Sequence, residues 1–354
     1  MLISLVTLGD PATLTGGYLY HLRMAKAAPA RRSTVSFVSF PARPFPLPAA
    51  AGKGVAKRLR EQRPDVVVLD SIAAAFAAPW LWAFPRPLAA MVHQRPGGID
   101  HRRLRSMAQS HLDLFAYRRC ERLLVASETL IAEMTDQGLS KHQITVVPPG
   151  HNLVAESESG LDLRRGRRAA LLCIGNWVER KGIVELLEAV MALPEPLCTL
   201  HLVGDEDRQP AYARKVRMLL DNDRLIDRVH RHGQVSSERV ALMYGSADVF
   251  VLPSVREPYG TVYAEAMAAG LPVVGWRAGN LPHLARDGID GFAVEPGDIS
   301  GLVTALRTLC ENHHLRAAMS SSAKLRAASF PTWEESADLF FSELRIVAEG
   351  SSSK

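Results

Sequence analysis

ADVFVLPSVREPYGTVYAEAMAAGLPVV, residues 247–274, decides the architecture. Val249–Leu252 reads as a short buried strand, and Pro253, Pro258 and Gly260 break it. A helical pattern then runs from Thr261 to Ala269. Gly270 followed by Pro272 is a helix stop, and Pro272–Gly275 turns apolar again as the next strand. Strand, helix and strand in 28 residues is the signature of an α/β protein with a parallel sheet.

The same alternation extends in both directions. In the C-terminal half Ala169–Ile174, Cys198–Val203, Val229–Gly233 and the short Phe292–Val294 are further strand candidates. Helical stretches at Gly182–Ala192, Tyr212–Leu220 and Ser237–Ser246 lie between the long ones. In the N-terminal half the strand candidates are Leu2–Leu8, Thr34–Ser39, Val66–Leu69, Ala89–His93, Arg122–Ala126 and Thr145–Val147. Pro41–Ala51 holds four prolines and is expected to be a loop. Val154–Arg168 is polar, with Arg164, Arg165, Arg167 and Arg168 clustered, and reads as a surface linker. A chain of 354 residues suits two domains, here 1–160 and 161–332, with one cleft expected between them.

With 47% hydrophobic and 22% charged residues, the composition is that of an ordinary globular protein. The four cysteines, Cys120, Cys173, Cys198 and Cys310, lie far apart without Cys-x-x-Cys or zinc-ligand spacing. They point to free, buried thiols in a reducing cytoplasm and to no metal site. The apolar start lacks a basic lead and is cut by Asp10, so it reads as a strand rather than a signal peptide. The most apolar run, Ile72–Pro85, is shorter than a membrane span and contains Pro79. Residues 1–168 carry 23 Lys and Arg against 13 Asp and Glu, the remainder 19 against 24. The basic half suits an anionic acceptor, a lipid surface or nucleic acid, and a merely solvated Arg-rich surface explains it equally well.

Three segments of the second half suit a phosphorylated, polyhydroxylated ligand. Gly175–Gly182 follows a strand and opens a helix, where open α/β sheets bind ligands, and Arg180 and Lys181 are placed to meet phosphate charge. In Glu257–Glu265, Pro258 and Gly260 flank Tyr259 in a tight loop, and the amides of Gly260, Thr261 and Val262 point from a helix start, a ready anion site. Glu257 and Glu265 flank that start and can accept bonds from ligand hydroxyls. Asn280–Pro282 with Arg286–Gly291 reads only as a loop.

Leu171–Pro296 resembles, almost continuously, the C-terminal domain of glycosyltransferase family 4. The resemblance is carried by His201–Asp205, His232–Val235, Ala247–Ser254, Glu257–Glu265, Ala266–Val274 and Arg286–Gly288, with the family's paired glutamates at their spacing. The first half is similar more weakly, through Thr15-Gly16-Gly17 after the first strand, Met91-Val92-His93, Ser127-Glu128 and Val147–Gly150. Trp333–Leu344 resembles the family's last helix, which returns to the first domain, so about 333–347 is assigned there.

The resemblance implies a GT-B fold of two Rossmann-like domains facing a central cleft. It implies a retaining transfer of sugar from a nucleoside diphosphate sugar to an acceptor hydroxyl, with no cofactor and no metal. Glu265 would bond the donor ribose, and Glu257 the transferred sugar. The amides of Gly260 to Val262 and the Lys181 side chain would hold the diphosphate. Backbone near Gln234 would receive the base; Gly16 and Gly17 would lie near the phosphates and His93 near the sugar. Asn176 stands where the family usually has arginine, and nearby Arg180 is the candidate replacement.

Competing readings are a nucleotide-sugar epimerase of the same architecture and a catalytically weak sugar-nucleotide-binding protein, the latter suggested by Asn176. Nucleic acid is disfavoured because no aromatic stacking pattern accompanies the basic half. The acceptor stays open between an anionic molecule, a sugar, a lipid and a small metabolite, with His101–Arg105 the candidate contact for an acidic one. Trp80, Trp82 and Phe84 read as core packing before acceptor or lipid contact. The expected location is the cytoplasm, with peripheral contact to the inner membrane face as a further option. The oligomeric state is not legible.

Overall fold

The computed structural model of the chain describes residues 1–12, 16–99, 103–151 and 160–352. They form two compact units: Met1–Gly150 with Pro331–Lys354, and His151–Phe330. The division read from sequence at 160/161 falls ten residues after this one, beyond residues 152–159, which lie outside the described set.

The first unit carries β1 (Leu2–Leu8), β2 (Thr34–Phe40), β3 (Val66–Asp70), β4 (Leu88–Val92), β5 (Arg122–Val125) and β6 (Ile144–Val146), in the order β2-β1-β3-β4-β5-β6. The second carries β7 (Ala169–Ile174), β8 (Cys198–Val203), β9 (Val229–Arg231), β10 (Val249–Leu252), β11 (Val273–Trp276) and β12 (Gly291–Val294), in the order β12-β11-β10-β7-β8-β9. Every named pairing is parallel. Helices cover both faces, which is why β3 and β8 are buried at every residue and are mostly apolar, with Asp70 at the end of β3 and His201 inside β8.

In each sheet the order reverses once: β1 lies between β2 and β3, and β7 between β10 and β8. At such a reversal neighbouring crossovers leave on opposite faces and open a crevice at the carboxyl ends of the strands. The register Val249↔Leu171 and Phe250↔Leu172 makes β7 and β10 neighbours although 74 residues separate them. The loops after them, Gly175–Gly182 and Pro253–Gly260, are thereby brought to one edge.

Several boundaries move by a residue or two, and one expectation is corrected. The four-proline stretch is not all loop: Leu47–Ala51 is a short 3-10 helix with Pro48 near its start, where a missing N–H costs nothing. The expected Arg-rich linker is partly docked. Leu163 is buried, and Arg164 grips Asp248 with two bonds of 2.8 and 2.5 Å. Phe84 and the ring of Trp80 pack inward, with Trp80 Nε1 donating to the Ala49 carbonyl at 2.7 Å, whereas Trp82 is 82% exposed. No helix among the described residues is long and apolar enough to cross a membrane.

The last helix, Trp333–Ser352, belongs to the first unit. It opens with a reciprocal cap, Glu335 N donating to Thr332 Oγ1 and Thr332 N to Glu335 Oε2. Ser336 donates to the Pro148 carbonyl at 2.7 Å, and Phe340 and Phe341 are fully buried. Phe340→Ala is expected to destabilise the first unit by about 3–5 kcal/mol, read in its denaturant midpoint. A loss below about 1 kcal/mol would show that this helix is not part of that core.

Candidate functional site

In the second unit the loops after β7 and β10 meet through a charged knot. Glu257 is 8% exposed, and three donors converge on its Oε1. Lys181 Nζ lies at 2.7 Å, Arg180 Nη1 at 2.9 Å and Ser254 Oγ at 2.8 Å. Burial alone would raise the Glu257 carboxyl, but the Lys181 and Arg180 charges outweigh it and hold the group below its usual range. Two cations face this one carboxylate.

The knot needs Gly182. Its φ is +68°, and a Cβ there would run into the Pro253 carbonyl, so only glycine lets the two loops pass this closely. Val255 N donating to the Arg180 carbonyl at 2.9 Å ties them again. On the other side Asn280, 3% exposed, fixes the loop by donating from Nδ2 to the Tyr259 carbonyl and from its amide to the Glu257 carbonyl.

Tyr259 is buried beside Gly260, which caps the helix Thr261–Ala268 in the left-handed region at φ +84°. No side chain caps this helix. The first amide with a backbone partner is that of Tyr263; those of Gly260, Thr261 and Val262 have none among the described residues. Three free N–H groups at the positive end of a helix dipole are suited to an anion. Glu265 lies one turn on, its Oε2 accepting from the buried Tyr244 hydroxyl at 3.2 Å, and the same hydroxyl also reaches the Val262 carbonyl.

Asn176 is not part of the knot. Its Oδ1 accepts from the Asp205 amide at 3.0 Å, which binds the loop after β7 to the loop after β8. Gln234 is exposed on the loop after β9, next to His232. His232 Nε2 and His201 Nδ1 are 2.9 Å apart, and His201 Nε2 contacts the Leu163 carbonyl at 2.8 Å. Burial depresses all three imidazoles of His201, His230 and His232, His201 to about 4.

In the first unit the ends of β1, β3 and β4 bring another set together. Gly17 faces the His93 ring, such that a Cβ would stand 3.5 Å from it. His93 stacks edge-on against Tyr20 and His21 at centroid separations of 4.8 and 5.0 Å, and its buried Nε2 has no hydrogen-bond partner among the described residues. Burial, aided by His21, depresses His93 to about 3 and keeps it neutral. Asp70 Oδ2 accepts from Thr7 at 2.8 Å and lies 3.1 Å from His21 Nε2, close enough for attraction though out of hydrogen-bond line. Burial would raise Asp70, but His21, His93 and Thr7 outweigh it and hold it at about 2. Gly16 begins the helix Gly16–Ala27, while Thr15, His101 and Arg102 lie outside the described residues.

Sequence patterns match these loops. A profile described as "Glycosyl transferases group 1" matches residues 162–326, and one described as "Glycosyltransferase Family 4" matches residues 5–154. The chain belongs to glycosyltransferase family 4. This family-4 chain is 30% identical over 237 residues to a D-inositol 3-phosphate glycosyltransferase of Xylanimonas cellulosilytica, 61% of this chain and 56% of that protein. The match thus spans little more than half of the relative's length. In fold it is similar to Anabaena HepE, solved with UDP and glucose, at TM-score 0.82 and 19% identity over 98% of this chain and 100% of that one. It is also similar to the sucrose-phosphate synthase of Thermosynechococcus elongatus, at TM-score 0.85 and 22% identity over 98% of both chains. The two parallel six-stranded sheets are those of the GT-B fold.

Ser254 and Tyr244 were not singled out from sequence, and Asn280 only as part of a loop. Ser254 stands three residues before Glu257 and had a usable signal in that spacing. Tyr244 had none, because it acts from a different element, and the role of Asn280 on a loop distant in sequence was not legible.

The depressed groups all act in one direction. A histidine with folded pKa below its unfolded value of about 6.5 binds its proton more readily unfolded, so its stabilisation is complete above that pH and is lost on acidification. Stability is expected to fall from pH 6.5 to 4 as His201, His230, His232 and His93 are forced to charge, and further as Glu257 and Asp70 protonate. Denaturant midpoints across pH 4–8 check this; a flat profile above pH 5 would contradict it.

Proposed function

We propose that the chain is a retaining glycosyltransferase, moving a sugar from a nucleoside diphosphate sugar to an acceptor hydroxyl without a cofactor or metal. The observation that carries the reading is the Lys181–Glu257–Arg180 knot together with the uncapped helix start at Gly260. The UDP and UDP-glucose seen in Anabaena HepE support a donor of this class.

In this reading the diphosphate sits on the Gly260, Thr261 and Val262 amides, with Lys181 turning from Glu257 to its charge. Arg180 supplies the second cation in place of the arginine that Asn176 replaces. Glu257 is then free to accept from a hydroxyl of the transferred sugar, and Glu265, steadied by Tyr244, accepts from the ribose. The base lies along the backbone near Gln234, beside Tyr259's loop. In the first unit, Gly16 and Gly17 are proposed as phosphate contacts and neutral His93 as a sugar contact. The bond from the anomeric carbon to the diphosphate oxygen breaks, and the acceptor oxygen bonds to that carbon on the same face. The acceptor proton passes to the departing phosphate. Fixed charge at the leaving oxygen, rather than a protein nucleophile, lowers the barrier.

The acceptor is proposed to be met by the basic first unit. There the helix Arg103–Tyr117 exposes Leu104, Arg105 and Met107, with exposed Arg118 and Arg119 just past its end, which favours an anionic or membrane-held acceptor at a cytoplasmic membrane face.

A thermal-shift screen of UDP, GDP, ADP and their sugars is expected to pick out one base, with stabilisation of about 3 kcal/mol at a hundredfold excess over Kd. Glu265→Ala should abolish that shift. With the matching donor, Lys181→Ala should lower kcat roughly 10²–10³-fold and also weaken nucleoside diphosphate binding, and NMR of the product should show the donor's anomeric configuration kept. Nucleotide-selective binding without turnover would favour the weak-binder reading, and no binding of any of them would overturn the donor site.

A further inference from the structure

The loop that leaves β4 in the first unit, His93–Gly98, is fastened to the helix Arg103–Tyr117 at a buried point. Arg95, Pro96, Gly97 and Gly98 form a tight turn, closed by the Gly98 amide donating to the Arg95 carbonyl at 3.1 Å. Proline second and glycine third, with Gly97 at φ +90°, are the marks of a type II turn. The turn packs against the helix. A Cβ on Gly97 would stand 2.5 Å from the Ser106 carbonyl oxygen and 3.2 Å from the Ser110 Cβ. One helical turn further on, Asp113 reaches the same glycine, its Oδ2 accepting from the Gly97 amide at 2.9 Å. That bond fixes which way the Pro96–Gly97 peptide faces, the feature in which type I and type II turns differ.

Asp113 is only 1% exposed, and among the described residues no cation pairs with it and its Oδ1 has no hydrogen-bond partner. Gln109 and Tyr117, one turn to either side on the same helix face, are buried and neutral. Burial pushes the Asp113 carboxyl up to about 7, against the Gly97 and Ala75 amides and Gln109, which pull it down. A buried acid without a counter-charge is costly, and an apolar side chain of similar volume would pack there at less cost. What the acid does in return is hold the turn.

The two segments it joins are the two that the proposed reaction uses in this unit. The loop carries His93, the proposed sugar contact, then half-buried Gln94 and exposed Arg95. The helix carries exposed Leu104, Arg105 and Met107, part of the proposed acceptor face. On the glycosyltransferase reading above, on which this rests, we propose that Asp113 is a positioning residue. It holds the Pro96–Gly97 turn on the helix, so that His93 meets the transferred sugar in a fixed relation to the acceptor face. Asp113 itself touches neither substrate. Without its bond the turn is free to leave the helix, and His93 loses that relation.

The test is NMR of the isotopically labelled full chain, free and titrated with UDP-, GDP- or ADP-glucose, whichever moves the Gly260–Val262 amides. In the free unmutated chain the Gly97 amide should exchange with solvent at least about tenfold more slowly than an unbonded amide, a reading that needs no variant to fold. Asp113→Ala should lose this protection, and Asp113→Asn, which keeps a carbonyl acceptor, should retain most of it. With donor, the His93 ring signals should shift in the unmutated chain and in Asp113→Asn but not in Asp113→Ala, while the Gly260–Val262 amides respond alike in all three. An unprotected Gly97 amide in the unmutated chain, or a His93 response untouched by Asp113→Ala, would overturn the proposal. Gly260–Val262 amides that respond to none of the donors would instead count against the donor site, leaving the Gly97 exchange to decide whether Asp113 holds the turn.

Discussion

The second unit's site depends on one buried carboxylate. Glu257 cannot be ionised in the interior without a counter-charge, and the counter-charges come from Arg180 and Lys181, 76 residues or more away in sequence. They can reach it only because β10 pairs with β7 at the reversal of strand order, and because Gly182 lets the loops pass without collision. Sheet order, glycine and charge therefore impose one requirement on each other. Loss of either cation leaves the buried carboxylate with a single ion-pair partner; loss of the carboxylate leaves two cations beside a helix start that is itself positive.

This arrangement links stability to the proposed activity. The Lys181–Glu257 contact that steadies the empty loops is the one that must loosen when a diphosphate arrives, so its strength is subtracted from donor affinity. In return the loops are already in place, with Asn280 and Ser254 holding the backbone around them. The free amides of Gly260 to Val262 need no rearrangement.

Much of this was legible in the sequence, for physical reasons. Alternating apolar runs and helical patterns gave all twelve strands within a residue or two at their ends, because parallel strands covered on both faces are mostly apolar. The Glu257–Glu265 loop was legible because proline, glycine and acid at those positions have few other uses. Partners acting across the fold were not. Tyr244 reaches Glu265 from another helix, and Asn280 fixes Tyr259 from the next crossover. In each case the residue looks like ordinary core or turn until the sheet order is known. Asn176 was noticed as a departure, but its bond to the Asp205 amide, a scaffold role, could not be read from the loop alone.

The central claim is that the Gly260–Val262 amides with Lys181 form a diphosphate seat. Titration of the isotopically labelled chain with nucleoside diphosphate, followed by amide and lysine side-chain NMR, tests it most directly. The account predicts that the amides of Gly260, Thr261 and Val262 move downfield together and that the Lys181 ammonium shifts along one saturation curve with them. Saturable binding that leaves these four signals in place while others move would contradict it.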